Sequence, residues 1–188
     1  MKVLRVRLAV VLVCLAAGAP ALADEPSPWQ IVKAESAIRF VAMQAGAEFE
    51  GGFDEFDARI RFDPLDLEHS SARVEIPVAS VDTQSPDRDE VLISEEWFHP
   101  ERWPRALFET NGFRRTSDGF EATAALTIRD VTKDVVFAFA LKGNRLTGEA
   151  TIKRLDFGLG QGEWADTKWI GDEVRIKVRV VRAHDAGD

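Results

Sequence analysis

FEATAALTIRDVTKDVVFAFAL, residues 120–141, is the stretch that decides the fold class. Phe120, Ala122, Ala124, Leu126 and Ile128 fall on one side, with Glu121, Thr123, Thr127 and Arg129 on the other. That period of two is what a half-buried strand imposes. Val135, Phe137, Phe139 and Leu141 repeat it in the next strand. Working outward, the same alternation runs through Ile38, Phe40 and Ala42, then Phe56, Ala58, Ile60 and Phe62, then Val74, Ile76 and Val78. It ends with Val174, Ile176, Val178 and Val180 set against Arg175, Lys177 and Arg179. Turn signals punctuate these runs at Gly51-Gly52, Asp63-Pro64, Ser117-Asp118-Gly119, Gly143-Asn144 and Gly171-Asp172. The best helical candidate is Asp87 to Phe98, where Val91, Leu92, Glu95 and Phe98 share a face. Short strands at this spacing predict one all-β domain, an antiparallel sandwich or barrel.

The 188 residues carry 24 Lys+Arg against 32 Asp+Glu, a net charge of −8. A surface of that sign repels phosphate, so nucleic acid is not an expected partner. A single cysteine excludes a disulfide scaffold. Lys2, Arg5 and Arg7 precede an apolar run from Leu8 to Ala19, and Ala21-Leu22-Ala23 offers small residues for cleavage before Asp24. Residues 1–23 therefore read as a signal peptide, and 24–188 as the mature domain, exported to the periplasm. The apolar run falls short of the ~20 residues of a membrane span. Cys14 lies within the leader, without the small residues that a lipoprotein signal places before its cysteine. Loss of the three basic residues takes the net charge from −8 to −11.

Catalytic constellations are missing from the pattern. His69, His99 and His184 stand alone, without metal-ligand spacing, and no Gly-x-Ser-x-Gly elbow occurs. The glycines of Gly158-Leu159-Gly160-Gln161-Gly162 precede no helix and read as a turn, not a phosphate loop. No metal or cofactor is expected, and binding is favoured over turnover. The one notable polar cluster is Ala79-Ser80-Val81-Asp82-Thr83 with Asp87-Arg88-Asp89. It reads as a loop-fixing network, in which Asp82 and Thr83 bond neighbouring backbone and Arg88 clamps a carboxylate. A hydrolase using Asp82, Asp87 or His99 is the competing reading of these polar residues.

Whether the interior is filled or hollow matters for function. The inward faces mix Phe with Ala42, Ala58, Ala122, Ala124 and Ala150, which leaves room for a lumen between the rings. Opposed Phe side chains filling those gaps would give an ordinary core, and on periodicity alone this is the simpler account. Twelve Phe and no Tyr suit an interior without partners for a phenol hydroxyl.

These residues also carry a resemblance. Gly52-Phe53-x-x-Phe56, Phe62-Asp63-Pro64, Ala79-Ser80-Val81-Asp82-Thr83 and Arg88-Asp89-x-x-Leu92-x-Ser94-x-x-Trp97-Phe98 resemble the YceI family. So do Trp103-Pro104-x-x-x-Phe108, Leu126-Thr127-Ile128 with Val131-Thr132-Lys133, and Asp156-Phe157-Gly158, over about residues 29–182. The resemblance implies an extended, eight-stranded, lipocalin-like antiparallel β-barrel with a short helical segment at one end. It further implies a long apolar pore that binds a polyisoprenoid, an isoprenoid quinone or another amphiphilic lipid, and it turns the mixed Phe/Ala faces into a lumen lining. Many members are linked to stress responses. Two departures stand out: family histidines are replaced by Met43 or its neighbour and by Val91, and Asp130 stands where a glycine usually precedes Val-Thr-Lys.

The expected lipid-lining residues are Phe40, Phe53, Phe56, Ile60 and Phe62 from the first half of the sheet, with Val74, Ile76 and Val78. Phe108, Leu126, Ile128, Phe137, Phe139 and Ile152 complete the lining, and Trp97 and Phe98 are expected to close one end. The expected partner is the lipid. A membrane b-type cytochrome and a second copy of the chain are further candidates. An interaction module for that cytochrome, with a merely structural lumen, is the alternative to lipid binding.

Overall fold

The computed structural model describes residues 25–183. The expected signal peptide over 1–23, with Cys14, and His184 lie outside the described residues. Ten strands form one curled antiparallel sheet: β1 (Ala37–Gln44), β2 (Ala47–Phe53), β3 (Asp57–Asp63), β4 (Asp66–Pro77) and the two-residue β5 (Val81–Asp82) come first. After a short helix α1 (Pro86–Leu92) follow β6 (Arg105–Arg115), β7 (Phe120–Ile128), β8 (Val131–Lys142), β9 (Arg145–Lys153) and β10 (Glu173–Val181). The spatial order is β3-β4-β6-β7-β8-β9-β10-β1-β2-β5. The antiparallel barrel type is as the sequence predicts, with two strands more than the eight expected.

One added strand explains itself. Gly51-Gly52 reads as a turn in the sequence, yet both residues sit inside β2, paired with Phe40 and Arg39 of β1. A Cβ at Gly51 would stand 2.5 Å from the Phe40 ring and 2.8 Å from the Thr83 methyl. The glycine is there because an aromatic ring crosses the strand at that point. The helical segment is also shorter than the periodicity suggests. Pro86 starts α1 with its pre-set φ, and the chain leaves the helix after Leu92 so that Trp97 and Phe98 both turn inward.

The sheet is curled shut at two places. At one end residues 29–32 act as a strap: Trp29 donates its backbone N–H to Ile60 of β3 (2.8 Å) and its indole Nε1–H to Phe62 O (3.1 Å). On the strap's other side, Val32 N–H donates to Val181 O and Ala183 N–H to Gln30 O, which ties it to β10. At the opposite end Asp54 N–H donates to Ser80 O (2.9 Å), joining the residue after β2 to the turn that follows β4. Outside, Arg39–Glu50, Lys177–Glu50 and Arg175–Glu48 ion pairs cross β1, β2 and β10. Such exposed pairs contribute at most about 1 kcal/mol each and serve register more than stability.

The loop between β9 and β10 covers the end of the barrel next to α1, and Arg154 holds it. This side chain is 1% exposed. Its Nε donates to Gly171 O, Nη1 to Leu159 O and Gly160 O, and Nη2 to Trp164 O and Ile170 O. Its guanidinium also lies 5.3 Å from the centre of the Trp97 ring. Burial pulls its basicity below the ordinary value, and the Asp172 carboxylate opposes that shift. Gly160 is required beside it, because φ is +78° and a Cβ would come within 2.3 Å of Arg154 Nη1. Arg129, at the β7–β8 turn with φ +57°, makes the matching tie by donating to Trp97 O and Gly158 O. The turn at Asp130 thus supplies an anchoring arginine to the same loop.

Two consequences can be measured. Trp29→Ala removes a buried ring and an indole bond, so unfolding in denaturant should show a loss of about 3–5 kcal/mol. Hydrogen exchange should speed first along β3. Arg154→Met leaves five loop carbonyls without their donor, and a loss of at least about 3 kcal/mol is expected in the same measurement. An Arg154→Met protein as stable as the parent would overturn the assignment of Arg154 as the loop's anchor.

Candidate functional site

Inside the curl the inward side chains leave space unfilled. Two chambers, of about 350 Å³ and about 120 Å³, share part of their lining. The larger lies at the α1 end, and its volume falls within the roughly 300–1,000 Å³ of ligand pockets. Ile38, Ile76, Leu126, Ile152 and Ile176 line both chambers, one from each of β1, β4, β7, β9 and β10. They form an aliphatic waist between the two.

The upper chamber has an aromatic wall. Phe40 stands 6.2 Å from Phe49 and 5.8 Å from Phe53, whose ring meets Phe98 at 5.8 Å. Trp97 and Trp164 meet edge to face at 6.2 Å. Leu159 and Ile170, held in place by the carbonyls that Arg154 binds, complete the wall from the β9–β10 loop. The lower chamber narrows because rings fill it. Phe62 packs 5.1–5.2 Å from Phe113, Phe120 and Phe139, and Phe137 stacks on Phe139 at 5.8 Å. Small residues at Ala58, Ala72, Ala122 and Ala150 keep the remaining space open. A packed interior therefore describes the far end of the barrel, and a lumen the end near α1.

Of the residues expected to line the lumen, Phe40, Phe53, Trp97, Phe98 and Ile128 line the upper chamber. Phe56, Ile60, Phe62, Val74, Phe108, Phe137 and Phe139 line the lower one, while Ile76, Leu126 and Ile152 belong to the waist. Val78 belongs to neither. It is 1% exposed and lies in the 3-10 turn after β4, packed with the core and outside both linings. Trp97 and Phe98 lie in the wall of the upper chamber, beside α1.

Several lining residues are not evident from strand periodicity. Phe49 shares a strand face with Ala47, Gly51 and Phe53, a signal that the glycine pair hides. Leu159, Trp164 and Ile170 come from a loop, which has no period to read. Arg88 also departs from its expected role. The Asp82 carboxylate accepts from Gln84 N–H, and Asp89 accepts from both the backbone N–H and the hydroxyl of Thr83. The loop-fixing network is therefore present, but Arg88 stands outside it. Its guanidinium lies 4.2 Å over the Phe49 ring at the upper chamber, and it forms no ion pair among the described residues. Of the two positions that the resemblance assigns to histidine, Val91 lines the same chamber; at the other, Met43 is 37% exposed while its neighbours Ala42 and Gln44 line the chamber.

The lumen is chemically uneven. No polar surface is found in the lower chamber beyond Thr110, whose hydroxyl is engaged with Ala72 N–H and O. In the upper chamber the polar side chains are Arg39, Gln44, Ser85, Asp87, Arg88 and Arg154, together with the two indoles. Such a site can bury a long apolar chain in one direction and meet a polar end in the other.

Comparisons with known proteins agree with this architecture. BcnA from Burkholderia cenocepacia superposes with a TM-score of 0.74 at 31% identity, covering 82% of this chain and all of that one. A polyisoprenoid binding domain from Saccharophagus degradans shares the fold, with a TM-score of 0.60 at 15% identity, over 82% of this chain and 98% of that one. A UPF0312 protein of Azotobacter vinelandii is 32% identical over 120 residues, 58% of this chain and 62% of that protein. Another UPF0312 protein, from Photorhabdus laumondii, is 32% identical over 93 residues, 50% of this chain and 48% of its own length. The chain thus spans about half to three-fifths of the curated relatives it matches. The model of the YceI-like domain matches residues 29–182, and the chain belongs to the YceI-like family.

Proposed function

We propose that this chain binds an amphiphilic lipid, a polyisoprenoid or an isoprenoid quinone, and carries, stores or sequesters it in the periplasm. The observation that carries the reading is the continuous apolar wall across both chambers and their shared waist. Burial of a prenyl chain against that wall is worth roughly 25 cal/mol per Å² of apolar surface removed from water. No directed polar contact is needed along the chain's length. The Saccharophagus degradans neighbour, described as a polyisoprenoid binding domain, supports the same ligand class. Binding without turnover fits a lumen in which aliphatic and aromatic side chains surround the available space.

The reading is tested by mass spectrometry of an organic extract from protein purified from its own host, with uptake of decaprenol by stripped protein as a second measurement. A prenyl lipid in the extract and saturable uptake are expected. An empty extract with no uptake would sink the proposal. Leu126→Trp places a large ring in the waist, an overpacking change that typically costs about 1–3 kcal/mol. Decaprenol affinity should fall at least about tenfold, equivalent to about 1.4 kcal/mol. Geraniol, short enough for the upper chamber alone, should lose less.

A further inference from the structure

Two hydrogen-bond donors at the upper chamber are buried without a partner among the described residues: Arg88 Nε and Trp97 Nε1. Trp97 is 6% exposed, so its indole N–H has little water to turn to. A buried donor left unmatched costs about 1–3 kcal/mol, which makes two at one chamber an unusual expense. The nearby groups do not relieve it. Arg154 is fully engaged with loop carbonyls, and Asp87, the one carboxylate in this lining, makes no ion pair with Arg88 among the described residues. The Phe49 ring under the guanidinium accepts charge through its face and no N–H at Nε.

Both unmatched groups donate and neither accepts. The group they fit is therefore an acceptor, and a guanidinium without a counter-ion at an apolar wall favours one with negative charge. We infer that Arg88 and Trp97 form a head-group subsite for an oxyanion, so that the lipid is an acid-headed prenyl chain, a phosphate ester or a carboxylate. The inference rests on the lipid-binding reading above and specifies which end of the ligand faces α1. The tail passes the waist into the lower chamber, whose wall has no free donor to compete for the head.

The test uses lipid-stripped protein and three probes with one chain: farnesyl phosphate, farnesoic acid and farnesol, titrated by intrinsic tryptophan fluorescence and by calorimetry. A charge-assisted hydrogen bond is worth about 1.5–3 kcal/mol, so at least one acid probe should bind about tenfold or more tighter than farnesol. Whichever acid binds better separates phosphate from carboxylate. Arg88→Met should collapse the acid-to-alcohol ratio toward one, and Trp97→Phe, which keeps the ring and removes the N–H, should reduce it about threefold or more. The ratio in the unaltered protein decides the matter even if a variant fails to fold. Equal affinities for acid and alcohol would overturn the head-group assignment and leave lipid binding standing. Failure of all the probes to bind would overturn both.

Discussion

Arg154 is the group on which the mouth of this barrel depends. The loop between β9 and β10, residues 154–172, brings five carbonyl oxygens toward the interior, where water cannot satisfy them. One guanidinium, with five N–H bonds in a fixed plane, answers all of them. Leu159, Trp164 and Ile170 are in the chamber wall because the carbonyls of these residues are held by Arg154. The same side chain sits against Trp97, so the loop and the turn after α1 are set relative to each other through one cation. Arg129 repeats the device from β7–β8, bonding the carbonyls of Trp97 and Gly158. The wall of the upper chamber is thus held by arginines whose N–H groups are spent on backbone carbonyls.

Strand alternation made most of the fold legible. Wherever Phe, Ile or Val recur every second residue, as in residues 56–62, 120–128 and 174–180, the structure has a strand with that face inward. The pattern could not show where the interior is hollow, because a lumen and a core demand the same apolar face. The difference depends on which rings stand opposite one another. Phe62 meets three other rings and closes space, whereas Phe40 and Phe53 line an opening. The glycine pair in β2 was misleading for a related reason. A turn and a strand crossed by a ring both call for glycine, and only the partner strand distinguishes them.

The site's polar side was less legible still. Arg88 occupies a stretch rich in Asp, Ser and Thr, where pairing with a carboxylate is the natural expectation. In the folded chain Thr83 takes Asp89, and Arg88 is left over an aromatic ring. Arg154 stands in a sequence without any period, and its burial follows from the path of a loop that no local pattern specifies. Local chemistry therefore predicts which residues make bonds more reliably than it predicts with whom.

The waist gives the lumen a property beyond its capacity. Five aliphatic side chains surround the axis there, and none offers a hydrogen bond by which one methylene could be told from the next. A chain lying across such a ring keeps freedom to slide along the axis, and so surrenders less entropy than one pinned at fixed atoms. For a prenyl chain bound as proposed, length would be read only at the two ends, by the head at α1 and by the Phe62 cluster at the far side. On that reading the barrel would sort its cargo by what terminates the chain and tolerate a spread in how many units it contains.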